Sequence, residues 1–182
     1  MLLGYHRLKH VRPQSLKSTL AHLAFIGAIA LLFFAHGSFG ENVERAILCG
    51  TLLSLASIDL HSGYVPNVAL LPLIGICVVR LSIGEHPFSD VFAAMLLGGT
   101  GIGLHLIGDG ASFGLGDVKL LGLVGCIFGV ERGLYVLGSA FVIGASIALV
   151  LIAIRRYNRK TAIPFVPMIC LAVLWEVGAR AV

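Results

Sequence analysis

The sequence predicts an all-α polytopic membrane protein of about six to seven transmembrane helices with no soluble domain. Three observations carry this. Of 182 residues, 58% are hydrophobic, and mean hydropathy is +0.98. Charged residues make up 12%, against about 25% in an ordinary soluble domain. The apolar residues also fall into runs near the roughly 20 residues that cross a bilayer. This composition excludes a soluble globule, a disordered tail, a coiled coil and a disulfide scaffold.

Residues 1–18 form a basic leader containing Arg7, Lys9, Arg12 and Lys17, expected in the cytoplasm. The run at residues 19–39 is long enough to be a retained signal anchor rather than a cleaved signal peptide. Six segments follow, at residues 43–60, 65–83, 90–108, 118–130, 133–154 and 162–179, and the region 43–179 is read as one membrane domain. The segment 118–130 is too short to cross without borrowing flanking residues.

Counting from a cytoplasmic N-terminus puts residues 60–64, 109–117 and 155–161 inside, and 40–42, 84–89 and 131–132 outside. The positive-inside rule agrees. The leader and the Arg155-Arg156-Tyr157-Asn158-Arg159-Lys160 loop hold most of the bases, while the outer loops and their edges hold Arg45 and Arg132. The outer side collects Glu41, Glu44, Glu85, Asp90 and Glu131, while Asp59, Asp109 and Asp117 fall on the inner side. Grouped beside apolar runs, the net charge of +4 reads as membrane orientation, and nucleic acid is not expected as a partner. Cys49, Cys77, Cys126 and Cys170 lie one per apolar segment with no C-x-x-C pair, so they read as small apolar side chains and no metal site is expected.

Asp59 closes the run at 43–60, and Asp117 opens the run at 118–130. Two spans separate them, so they share a membrane side. Ionisable groups at the bilayer boundary are costly and point to function. Two carboxyl groups flanking a water can hydrolyse a peptide bond, one taking a proton from water and the other giving one to the carbonyl oxygen. Brought close, they share a proton and titrate as a pair without a metal or cofactor. Gly114 and Gly116 allow a tight turn and close backbone approach before the helix. Pro66 is expected to start the third helix after a turn through Ser62-Gly63. The blander alternatives are an N-cap role for Asp117 and a solvated Asp59.

Here the sequence resembles the type IV prepilin peptidase family, the G-x-G-D intramembrane aspartyl proteases. Gly114-Leu115-Gly116-Asp117-Val118-Lys119 matches the second family motif. Asp59 with Pro66-Asn67 matches the first, and Ile163-Pro164-Phe165-Val166-Pro167 resembles a late I-P-F-G-P segment, with Val166 where glycine is usual. The resemblance implies Asp59 and Asp117 as the catalytic pair, with Gly114, Gly116, Lys119, Pro66, Asn67, Pro164 and Pro167 in supporting motif positions. It further implies a multi-pass protein of a prokaryotic inner membrane that cleaves the leader of prepilin or pseudopilin precursors at the cytoplasmic face. The short leader suggests a peptidase-only form, like those found with Flp-type tight-adherence pili, without N-methyltransferase activity. The implied partners are the precursor and membrane lipid, with self-association left open.

Helix polarity suggests a division of labour. A helix N-terminus favours the Asp117 carboxylate and a helix C-terminus disfavours that of Asp59, so Asp59 is expected to hold the shared proton. Lys119, two residues past Asp117, is expected to point away from it and serves either as a headgroup anchor or in site electrostatics. Asp109 reads as a solvated or capping residue and His61 as an interfacial loop histidine, while His22, His36 and His105 lack partners at ligand spacing. The run Gly98-Gly99-Thr100-Gly101-Ile102-Gly103 reads as close helix packing. Two rival functions are a small ion- or proton-coupled transporter built on the same aspartates and an inactive pilus-assembly subunit.

Overall fold

A computed structural model describes residues 39–108, 113–154 and 164–179. The leader, most of the first apolar run, Asp109, Ile163 and the basic loop at 155–160 lie outside the described residues. Among the described residues every regular element is helical: α1 (Phe39–Ser62), a 3-10 turn (Asn67–Leu70), α2 (Leu71–Ile83), α3 (Pro87–Ile107), α4 (Leu115–Ala153) and α5 (Val166–Ala179).

Local chemistry sets the boundaries. Glu41 in the first turn suits the positive end of α1. At the other end Gly63, at φ 59°, bonds its N–H to the Asp59 carbonyl at 2.8 Å, a left-handed stop that favours glycine. Pro72 and Pro87 sit in the first turns of α2 and α3, where a missing N–H costs nothing. Gly84 ends α2 by donating to the Arg80 carbonyl.

Several expected boundaries move. Residues 40–42 are helical, inside α1, rather than an outer loop. Residues 131–132 lie within α4, and the break expected there falls at Gly129, whose φ of 74° and ψ of −178° are open to glycine but not to Glu131 or Arg132. Thus α4 comprises two arms, residues 115–128 and 130–153. Pro66 precedes the 3-10 turn, which runs directly into α2, so the segment expected at 65–83 begins with a tighter coil.

Of the six to seven spans expected, two helices, α3 and α4, are long and apolar enough to cross a membrane among the described residues. Only 17% of the most apolar window of each is buried. Their outward faces expose Phe88, Met95, Leu106, Val142 and Leu149, a surface suited to hydrocarbon rather than water. Inside, Leu52, Leu55, Leu73, Leu97, Leu120, Leu121 and Ile169 are fully buried.

The pair α3 and α4 makes the most extensive helix contact. Small residues permit it. A methyl on Gly125 would lie 2.5 Å from the Ala93 carbonyl oxygen, and one on Gly101 3.2 Å from Cα of Val118. The glycine run at 98–103 is therefore a packing surface at Gly98 and Gly101.

Charge collects at one end of the bundle. Arg80 of α2 reaches Glu44 of α1 at 3.4 Å and Asp90 of α3 at 3.8 Å. These residues border a cavity of about 250 Å³ that Phe128 and Arg132 of α4 and Glu176 of α5 also line, Asp90 excepted. The C-terminus of α1 and the N-termini of α4 and α5 meet at the other end.

Candidate active site

Asp59 occupies the last turn of α1, and although it is an acid its side chain is buried, with 6% exposure. A buried carboxyl group needs a partner. It finds one 107 residues away in sequence: the backbone N–H of Val166, first residue of α5, donates to Asp59 Oδ2 at 3.3 Å. The first-turn amides of a helix have no intrahelical acceptor. Pro167 has no N–H, and Met168 donates to the Phe165 carbonyl at 3.0 Å, so the Val166 amide is left for Asp59.

Asp117 is the third residue of α4. Gly114, extended at φ −74° and ψ 148°, precedes the helix, and its N–H donates to Asp117 Oδ2 at 3.1 Å. In return the Gly114 carbonyl accepts from the N–H groups of Asp117 at 3.0 Å and Val118 at 3.2 Å. Asp117 therefore closes the helix start from inside the first turn instead of occupying the N-cap position. Asp59 lies within electrostatic reach of it.

Both carboxylates thus face a backbone N–H at the start of a helix. The expectation that Asp59 holds the shared proton rested on Asp117 opening a helix and Asp59 closing one; both placements hold, and the start of α5 adds a donor to Asp59 that this polarity does not count.

Gly116 packs under Val65, where a methyl would lie 2.7 Å from Val65 Cβ. This contact seats the turn before Asp117 against the loop after Asp59. Lys119 is exposed and extends away from its own helix to donate from Nζ to Asn67 Oδ1 at 2.9 Å, joining the second motif to the first. Pro66 precedes the 3-10 turn and its carbonyl accepts from the Ala69 N–H at 3.0 Å. Pro164 and Pro167 bracket Phe165 and Val166 at the entry to α5.

Some residues fall outside this group. His61 is exposed, with Nδ1 2.8 Å from the Ser57 carbonyl oxygen of its own helix. His105 Nδ1 contacts the Phe113 carbonyl, a partner that ligand spacing did not suggest. The four cysteines are free and buried. Among the described residues no three His, Cys, Asp or Glu side chains are placed to share a metal ion.

This arrangement joins a carboxyl-bearing helix end, a glycine turn bearing a second carboxyl group and a proline-bounded helix start. Residues 46–149 match the model of the type IV leader peptidase family. A prepilin leader peptidase/N-methyltransferase of Burkholderia pseudomallei is 30% identical over 172 residues, covering 90% of this chain and 55% of the relative.

The chain belongs to the type IV leader peptidase family.

Similar proteins of the same description occur in Pseudomonas putida, 26% identical over 166 residues (84% of this chain, 58% of the relative), and in Aeromonas salmonicida, 28% identical over 144 residues (74% and 50%). The chain spans about half the length of these curated relatives. No solved structure matches it. Within this leader peptidase frame, the features that sequence reasoning missed are the Val166 amide, the Phe113 and Phe165 rings and the Val65–Gly116 contact. The first had one available signal: a proline one residue after Val166 removes the competing donor.

Proposed function

We propose that the chain is an intramembrane aspartyl endopeptidase that removes the leader of type IV prepilin or pseudopilin precursors, with Asp59 and Asp117 as the reacting pair. The convergence of two acid-bearing helix ends on the start of α5, each carboxylate held by one backbone N–H, carries this reading. Family membership supports the substrate class, since the relatives are named for prepilin leaders. The basic leader and the Arg155–Lys160 loop support a cytoplasmic location for the pair by the positive-inside rule.

In the proposed reaction one carboxylate removes a proton from water as its oxygen attacks the scissile carbonyl carbon. The other, protonated, carboxyl group donates to the carbonyl oxygen. The resulting gem-diol collapses with cleavage of the C–N bond, and a proton passes to the departing nitrogen. The leader leaves with a new carboxyl group and the mature protein with a free amine. The backbone N–H donors orient the two carboxylates and require no reorganisation as charge moves. Only leader cleavage is proposed for this chain.

Co-expression with an epitope-tagged prepilin tests the reading. Asp59→Asn and Asp117→Asn are each expected to abolish the shift to the shorter product while the protein still accumulates in the membrane. Normal processing by both variants would overturn it.

A further inference from the structure

We infer that Phe165 is a positioning residue that couples the backbone holds on the two aspartates; the inference rests on the reading of Asp59 and Asp117 as the reacting pair. The ring of Phe165 contacts that of Phe113 with centroids 5.2 Å apart, and that of Phe141 with centroids 5.1 Å apart. Phe113 is buried, with 6% exposure, and Phe141 comes from the second arm of α4. Each partner of the Phe113–Phe165 contact is followed directly by a donor. Gly114, after Phe113, donates to Asp117, and Val166, after Phe165, donates to Asp59. A single ring contact therefore stands one covalent step from both hydrogen bonds.

The placement leaves little freedom. Pro164 and Pro167 restrict the backbone on either side of Phe165. The Phe165 carbonyl accepts from both Met168 and Ile169, at 3.0 and 3.2 Å, which fixes it as the residue that caps α5. Val166 is fully buried, so its amide follows the anchor of its neighbour. On the other side the Phe113 carbonyl is held by His105. Loss of the Phe165 ring allows the start of α5 and the Gly114 turn to drift independently, and the two carboxylates lose their fixed relation. The apolar ring of Phe165 offers neither carboxylate a hydrogen bond and acts through the neighbouring backbone donors, so its effect falls on turnover rather than on precursor binding.

The test uses the full chain in detergent with purified tagged precursor. Phe165→Leu is expected to lower kcat by about tenfold, the scale of effect that a small misplacement of reacting groups produces. KM should stay within about twofold, and the pH profile of kcat should be displaced. Phe165→Tyr, which keeps the ring, is expected to restore turnover. Phe113→Leu should reproduce the defect, and the double variant should be no worse than the poorer single one. If Phe165→Leu does not accumulate as folded protein, Phe113→Leu with Phe113→Tyr supplies the same comparison from the other ring.

Wild-type kcat and pH profile in Phe165→Leu, a defect confined to KM, or multiplicative losses in the double variant would overturn the inference. If Asp59→Asn and Asp117→Asn are inactive while Phe165→Leu is unaffected, the coupling alone fails. If the Asn variants still cleave, the catalytic reading fails and the coupling falls with it.

Discussion

Replacing Val166 by proline removes the N–H that the site uses and exchanges a buried side chain. The position is the first of α5, where proline is well tolerated in helices, and the residue after it is already proline. The deleted hydrogen is the one donated to Asp59 Oδ2 at 3.3 Å. Hydrogen bonds to charged groups contribute about 1.5–3 kcal/mol, and the length of this one places it near the lower end. About 1.5 kcal/mol corresponds to roughly a tenfold loss of turnover at 25 °C. Val166→Ala is the control, because it trims the buried side chain but keeps the N–H. It should melt at lower temperature, in line with lost packing, yet retain most of its kcat. The assay is cleavage of a purified tagged precursor by detergent-solubilised protein, with kcat and KM measured for both variants. Equal kcat in Val166→Pro and Val166→Ala would refute the reasoning, whatever their melting temperatures.

Three glycine substitutions test the packing and a fourth tests the backbone conformation. Gly116→Ala puts a methyl 2.7 Å from Cβ and 3.1 Å from Cγ2 of the buried Val65. It should destabilise by about 1–3 kcal/mol and reduce cleavage, and an unchanged melting temperature would contradict the contact. Gly125→Ala meets backbone, the Ala93 carbonyl at 2.5 Å, whereas Gly133→Ala meets the flexible end of Leu97 at 2.8 Å. The first should therefore melt well below the second, and equal melting temperatures would count against close α3–α4 packing. Gly129→Ala has open space around its methyl but a φ of 74°, so a purely conformational loss of about 1–3 kcal/mol is expected, read as a lower melting temperature with unaltered KM.

Much of the helical order was legible because hydropathy and glycine or proline punctuation are local properties. The apolar runs anticipate α1 to α5, and the weakness of residues 118–130 as an independent span corresponds to the short first arm of α4. Charged residues misled the boundary reading. Glu131 and Arg132 suggested a loop, but charged side chains continue a helix readily, and the turn needed the backbone freedom of Gly129. Lys119 was legible as a motif residue but not as a partner of Asn67, since its own helix face gave no hint of a reach across 52 positions.

By itself, the sequence determined the class of protein, the two acids that stand out at the ends of apolar runs and the glycine and proline residues around them. Each of those signals is a side-chain type at a countable position. Only the tertiary structure decided what holds the acids. The donor to Asp59 is a backbone amide 107 residues away, available because it opens a helix, and a main-chain N–H has no residue-type signature. The polarity of α1 alone assigned Asp59 a helix C-terminus. Folding set the N-terminus of α5 against it, and that long-range contact gave each carboxylate a backbone N–H at the start of a helix.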